Sequence, residues 1–307
     1  MNSIHITPLC LAVTLGLVAN TQDLRAADII DGPKYNLVCA DFAKGEVCIV
    51  DSDGEIKQSF RTQNPNDVWA LPNGEVLFAW RRGVKIYDKT GKLVFQWTSS
   101  EARDEIHTCQ PLADGNVLIA QNGPSRLIEV DRAGKIVKEV PVMSEKDDLH
   151  MRFRMCRKLE NGNYLCMISC DNEVREIDSD GKTVRVIKDL PGVNMAKAHA
   201  VIRLANGNTL FSTGGGAQAV EVDKDDNVVW KLEREDLPDI KMGFMTGLNR
   251  LANGNTVICF YQGSHHLIEV TPEKELIWKW RLPSQRTVVS VQILDQEGDA
   301  SQGQIFK

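Results

Sequence analysis

Five times along the chain a leucine leads into an Asx-Gly pair and then an apolar run. The segments are LPNGEVLFA at 71–79, LADGNVLIA at 112–120, LENGNYLCM at 159–167, LANGNTLFS at 204–212 and LANGNTVIC at 251–259. Their glycines, Gly74, Gly115, Gly162, Gly207 and Gly254, stand 41, 47, 45 and 47 residues apart. Asn-Gly and Asp-Gly predict two-residue hairpin turns of type I′, because both central residues of that turn need positive φ. A second strand–turn–strand element follows in each unit: IYDKTGKLV at 86–94, EVDRAGKIV at 129–137, EIDSDGKTV at 176–184 and EVDKDDNVV at 221–229. The last unit reads EVTPEKELIW at 269–278, with neither Gly nor Asx at its turn. Three or four short strands per period in the forties, without helical periodicity, predict an all-β propeller of four-stranded antiparallel blades.

The ends of the repeat set the blade number. Residues 36–60 carry the second half of a unit without its first strand, and VVSVQILD at 288–295 resembles the first strand HAVIRLAN at 199–206. A C-terminal strand completing blade 1 closes such a ring and removes its exposed edges. Five full units and one shared unit make six blades. The roughly 280 residues after position 26 then give about 47 per blade, matching the spacing. One propeller domain is therefore expected over 27–307.

Residues 1–26 are expected to be a signal peptide. The apolar run Pro8–Ala19 is too short to span a bilayer, which takes about 20 residues, and small residues follow at Ala26 and Ala27. A periplasmic or secreted protein with no transmembrane anchor in its mature chain is the corresponding expectation. The 36 Lys and Arg against 42 Asp and Glu leave a formal charge of −6, which argues against a nucleic-acid partner.

The pattern His-x-x-x-x-Leu-x-Asx-Gly-Asn in HTCQPLADGNVL (107–118) and HAVIRLANGNTL (199–210) resembles bacterial propellers of the quinoprotein-like and arylsulfotransferase-like group. That resemblance spans all five complete repeats and implies the propeller fold. For the aryl sulfotransferases of the group it further implies a histidine that takes up the sulfuryl group. Fold alone does not set function, since propellers host binders, scaffolds and enzymes.

Counting back five residues from each turn leucine gives the start of the innermost strands, where Asn66, His107, Arg154, His199 and Thr246 stand, with Val289 in the closing strand. If the repeats superpose, these six ring one mouth of the central channel. His107 and His199 are the candidate catalytic residues. Asn66 with the adjacent Asp67, Arg154, Thr246, and Arg152 and Lys197 from the incoming loops are the candidate ligand-binding residues. Arginine offers a planar fork for carboxylate, sulfate or phosphate, and histidine moves protons near neutral pH. Arg103 and His150 join Arg152 and Lys197 in what reads as a basic funnel, suited to a small anionic ligand. No His/Asp/Glu spacing fits a closed zinc site and no phosphate loop occurs, so no metal or cofactor is indicated. The acidic residues Asp104, Glu105, Asp147, Asp148 and Asp239 read as solvated loop positions.

Of the eight cysteines, seven follow residue 26, an odd number that leaves at least one thiol unpaired in a monomer. Cys109, Cys156 and Cys166 read as small core hydrophobes. Cys39 and Cys48 flank a hairpin and face each other if Ala43 and Lys44 centre its turn; they fall out of register if Lys44 and Gly45 do. Trp97, Trp230 and Trp278 fall on outermost strands. The expected function is a monomeric binding module, taking a small anionic ligand or a protein partner at one channel mouth. The alternatives are an enzyme on an anionic substrate at that mouth, by sulfotransferase-like transfer or lactonase-like metal hydrolysis, and an envelope scaffold.

Overall fold

A computed structural model describes residues 29–283 and 286–307; the expected signal peptide lies outside the described residues. The chain opens with strand β1 (Ile29–Asp31), then β2 (Leu37–Asp41), β3 (Glu46–Val50) and β4 (Ile56–Arg61). Four regular quartets follow. These are β5 (Val68–Ala70), β6 (Val76–Trp80), β7 (Gly83–Tyr87) and β8 (Leu93–Thr98); β9 (Ile106–Pro111), β10 (Val117–Gln121), β11 (Arg126–Val130) and β12 (Ile136–Pro141); β13 (Phe153–Lys158), β14 (Tyr164–Ile168), β15 (Glu173–Ile177) and β16 (Thr183–Ile187); and β17 (Val201–Arg203), β18 (Thr209–Ser212), β19 (Ala219–Val222) and β20 (Val228–Leu232). The last quartet is β21 (Met245–Arg250), β22 (Thr256–Phe260), β23 (Leu267–Val270) and β24 (Leu276–Arg281), and β25 (Val288–Ile293) ends the series.

Each quartet is an antiparallel sheet in chain order, and β25 pairs with β2 to complete blade 1 as the sheet β25-β2-β3-β4. The six-bladed ring closed by its C-terminal strand is thus as the repeats require. One strand is additional: β1 pairs antiparallel with β24 and makes blade 6 five-stranded. It covers an edge that the other blades leave open.

The second strand of every blade is buried along its length, apart from half-buried Trp80 at the end of β6, whereas outer strands such as β8 and β16 alternate with exposed positions. A strand reads as continuously apolar when both its faces are covered, here by the two neighbouring blades. The apolar clusters accordingly straddle blade boundaries. Cys39, Leu37, Trp278 and Trp280 join blades 1 and 6; Val38, Phe60 and Phe78 join blades 1 and 2; Trp69, Leu77 and Ile119 join blades 2 and 3. At roughly 1.5–3 kcal/mol per fully buried Val, Leu, Ile or Phe, this contact between blades is the main source of stability.

A polar lock repeats beside it. Glu129, Glu176, Glu221 and Glu269 occupy one position of the third strand and are all buried. Glu129 meets Lys158 Nζ at 2.7 Å, Glu176 meets Arg203 at 2.7 Å, and Glu221 meets Arg250 at 2.8 Å, each cation belonging to the next blade. The asparagine after the turn glycine donates to the same carboxylate in three blades: Asn163 to Glu176, Asn208 to Glu221 and Asn255 to Glu269. At the ring junction Glu269 meets no cation among the described residues, and Tyr35 donates to it at 2.8 Å instead.

The turns differ from the type I′ expectation. In each Asx-Gly turn the glycine alone has positive φ, from 81° at Gly74 to 90° at Gly254, while the preceding Asx does not. The glycine N–H returns to the leucine carbonyl, as Gly74 does to Leu71 at 2.9 Å, and the Asx side chain accepts from the following N–H, as Asn73 does from Glu75 at 3.0 Å. This is a type I turn followed by a left-handed residue, stabilised by a side chain that a type I′ turn would aim elsewhere. Where the second turn lacks glycine, Asp226 and Lys274 take the left-handed position, with φ of 65° and 70°.

Cys39 and Cys48 pair directly across β2 and β3, about a four-residue loop from Phe42 to Gly45, and both thiols are free. Cys109, Cys156 and Cys166 are fully buried in the core; Trp97 and Trp230 lie on the outermost strands β8 and β20, whereas Trp278 lies on β24, which β1 covers, so it is not on an outermost strand as expected.

Gly207 isolates the conformational term, because a Cβ added there meets nothing within 4 Å while φ stays at 86°. Gly207→Ala is expected to cost about 1 kcal/mol in chemical denaturation, from left-handed backbone strain alone. An unchanged midpoint and slope contradict that assignment of the turn.

Candidate functional site

Strand register brings the six counted positions to equivalent places. Each lies two residues before the residue that pairs with the centre of the second strand: Val68 with Phe78, Cys109 with Ile119, Cys156 with Cys166, Val201 with Phe211, Leu248 with Ile258 and Val291 with Cys39. In blades 3, 4 and 6 the ladder is interrupted just there, between Cys109 and Ile106, between Cys156 and Phe153, and between Leu248 and Met245. Such bulges re-aim side chains at a sheet end, and they fall on His107, Arg154 and Thr246.

The groups at this mouth are buried. His107, His199, Asn66 and Thr246 are all buried, and Arg154 is only partly exposed. His107 Nδ1 lies 3.0 Å from the Phe153 carbonyl oxygen and 3.2 Å from Asn122 Nδ2, and its Nε2 faces Glu105 Oε2 at 3.4 Å. His150, on the loop between β12 and β13, reaches the same Oε2 with Nδ1 at 2.6 Å and sets its ring edge-on to His107, centroids 5.2 Å apart. Glu105, His107 and His150 thus offer three donor atoms within 4.8 Å of one another, a set that could hold a metal ion. Sequence spacing missed it because His150 arrives from another blade's loop, 43 residues after His107.

Electrostatics follow from burial. Burial first, and then the Arg154 charge, push the His107 imidazolium down to about 4, against the opposing pull of Glu105. His199 is likewise held well below 6.5, by burial and then by Arg154 and His107. Burial lowers Arg154 to about 10, and Glu105 and Asp148 oppose that fall without forming an ion pair with it. The hydrogen bond with His107 and that with His150 hold Glu105 down at about 2 against burial. His199 presents its ring edge to Phe244, centroids 6.1 Å apart, and its Nδ1 has no hydrogen-bond partner among the described residues; neither has Arg154 Nε nor Thr246 Oγ1. The GGG segment, a 3₁₀ turn, packs here: a Cβ on Gly214 falls 1.9 Å from the Lys197 carbonyl oxygen and 2.8 Å from Phe244 Cζ.

The incoming loops are mixed in charge rather than a basic funnel. They enclose an open cleft of about 1170 Å³ whose lining includes Arg81, Arg82, Arg103 and Arg152 but also Glu101, Asp104, Glu105, Asp147 and Asp148. Asp104, read above as solvated, is 2% exposed and accepts from Gln121 Nε2 at 2.7 Å and from the Gly123 N–H at 2.9 Å. Arg152 is engaged in building the loop: it holds Ser144 Oγ at 3.0 Å, Asp147 at 2.6 Å and the Asn122 carbonyl oxygen. Lys197 is exposed, with φ at 63°.

Asp67 belongs to a deeper layer. Its carboxylate meets Arg157 at 2.8 Å and Lys307 Nζ at 3.0 Å, with Thr108 and Ser290 hydroxyls at 3.2 and 3.3 Å, all buried. Both cations sit against the Trp69 ring, 4.8 and 4.1 Å from its centroid. Burial alone would raise the Asp67 carboxyl; Arg157 and Lys307 outweigh it and hold it below the carboxylate range. Lys307 arrives from beyond β25. Phe306 bridges to Arg250, and the main-chain oxygen of Lys307 accepts from Arg157 Nε at 2.7 Å. This tail, with no repeat signature, gave the sequence no signal.

No protein-family model matches the chain, and no curated protein matches it. Solved structures do resemble it. A protein of unknown function from Bacteroides caccae is 25% identical, with a TM-score of 0.75 over 84% of this chain and 98% of that one. A streptogramin B lyase is 11% identical, with a TM-score of 0.63 over 92% and 94%. A catalytically inactive virginiamycin B lyase variant from Staphylococcus aureus with quinupristin is 11% identical, with a TM-score of 0.59 over 82% and 85%. At 11% identity the likeness to the lyases is one of fold.

Two outcomes follow from the buried charges. Asp67→Asn leaves Arg157 and Lys307 without their shared anion and is expected to cost on the order of 3 kcal/mol in chemical denaturation. Lys307→Met, which leaves the Asp67–Arg157 pair, is expected to cost less; the reverse order contradicts the shared-anion account. His199 gives a pH signature. Its folded pKa lies below the 6.5 of a free imidazole, so below that pH the unfolded chain takes a proton that the fold refuses, and stability falls as pH falls. Between pH 6 and 5, His199→Gln is expected to flatten the fall by about 1 kcal/mol per pH unit, since a full proton is worth about 1.4. Parallel profiles for the two proteins contradict it.

Proposed function

We propose that this propeller is a binding module for a small anionic ligand, taken up at the mouth where His107, Arg154 and His199 converge. The observation that carries this reading is Arg154. Its guanidinium is largely buried, and it forms no ion pair among the described residues; its Nη2 lies 2.9 Å from Met151 Sδ, and its Nε has no partner. A buried cation without a counter-ion costs several kcal/mol, which an anion of carboxylate, phosphate or sulfate geometry would offset through paired hydrogen bonds. His199 Nδ1 and Thr246 Oγ1, both unpartnered, supply further polar contacts from the next two blades. The sulfated compounds implied by the sulfotransferase resemblance belong to the same anion class.

The role is tested by thermal unfolding in the presence of sulfate, phosphate, aryl sulfates and sugar acids, on the wild type and on Arg154→Met. Ligand at about 100 times its Kd stabilises by about 2.7 kcal/mol, which corresponds to a shift of several degrees. At least one of these anions is expected to raise Tm in the wild type and not in the variant. An equal shift in both proteins, or none with any anion, overturns the reading.

A further inference from the structure

We infer that Glu105, His107 and His150 form a binding site for one divalent transition-metal cation of the zinc class, open to the cleft at the same mouth. The inference does not depend on the anionic ligand, because it rests on the arrangement of the three side chains themselves.

The first argument is donor geometry. Zinc binds histidine nitrogen and carboxylate oxygen at about 2.0–2.2 Å, so two ligands of a tetrahedral ion lie roughly 3.3–3.5 Å apart. His107 Nε2 and Glu105 Oε2 already stand 3.4 Å apart, and all three donor atoms lie within 4.8 Å of one another. A second separation, His150 Nδ1 to Glu105 Oε2, is a 2.6 Å hydrogen bond, and the third, between the two histidine nitrogens, is within 4.8 Å. Less than about 1 Å of opening turns that hydrogen bond into a ligand–ligand edge. His150 can give that much, since its side chain is 58% exposed and sits on a loop rather than in a strand.

The second argument is the orientation of His107. Its Nδ1 lies 3.0 Å from the Phe153 carbonyl oxygen and 3.2 Å from Asn122 Nδ2, which hold the ring so that Nε2 faces Glu105 Oε2 at 3.4 Å. When Nδ1 carries the proton, Nε2 presents its lone pair on the side of the Glu105 carboxylate, and a cation between the two would be held by both. Metal-bound histidines commonly donate their other ring N–H to a carbonyl or carboxylate, which fixes the ring and its tautomer, and the Phe153 carbonyl occupies that role. Asn122 Nδ2 reinforces the arrangement by bonding the Leu149 carbonyl oxygen at 2.9 Å, tying the loop that carries His150 to the end of β10.

The third argument is access. Glu105 and His150 both line the open cleft of about 1170 Å³. Three protein ligands with a fourth position facing solvent are the pattern of sites that exchange a water or ligand, whereas structural zinc sites close all four positions. The buried cysteines offer no competing thiolate cluster: all seven described are buried, and none belongs to a three-residue metal-ligating group.

Isothermal titration of the metal-free protein with zinc chloride, in a buffer that does not chelate, tests the site. The wild type is expected to bind one zinc ion per chain. Glu105→Gln and His150→Gln are each expected to weaken that binding at least 10-fold while leaving the far-ultraviolet circular dichroism spectrum unchanged. Titration with cobalt(II) provides a second readout: intense visible d–d bands, characteristic of low coordination, are expected from the wild type and not from His150→Gln. The partly exposed His150 keeps the test meaningful even if variants of the buried His107 fail to fold. No zinc binding by the folded wild type, or equal affinity in wild type and both variants, overturns the inference.

Discussion

Every blade of this ring buries its second strand on both faces, so no blade can satisfy its own apolar surface. Stability is therefore a property of neighbour contacts, and it requires that the sixth blade meet the first. The junction is made by two pairings that reach across the chain: β25 with β2, and β1 with β24. The buried glutamates show the same logic in polar form. Three of them reach a cation on the following blade, and at the junction Tyr35 takes over that role.

The fold was legible because each repeat wrote its strands and turns with the same few residue types. Leucine, Asx, glycine and an apolar run recur at one spacing, and the counting of inner-strand positions from Leu71, Leu112, Leu159, Leu204 and Leu251 survives in the ladder register. The turn type was misread because Asn-Gly satisfies two geometries. A type I turn wins here because the Asx side chain caps the following N–H while the glycine alone takes positive φ. The third-strand glutamates were visible as EVD, EID and EVT, but their partners lie on the next blade, a relation that no local pattern encodes.

The site was legible in half. His107, Arg154 and His199 were found because they occupy repeat positions, and their burial follows from standing at strand starts around a narrow axis. Glu105 and His150 were read only as a solvated loop residue and a member of a basic funnel, and not as a set with His107, because they belong to connections, where the repeat imposes nothing. The same limit made Asp104 look like surface, although it is buried, and made Arg152 look free, although it holds its own loop together. Asp67 stands next to a ring position but faces deeper, where Lys307 reaches it from a segment outside the repeat.

Together with Trp69, Asp67, Arg157 and Lys307 form one buried charged layer. On its far side lies a second hollow of about 440 Å³, lined in part by Trp69, Arg157 and Lys307. Because one carboxylate is shared by two buried cations stacked on the same indole, no member of this layer can shift or lose its charge singly without stranding a buried ion.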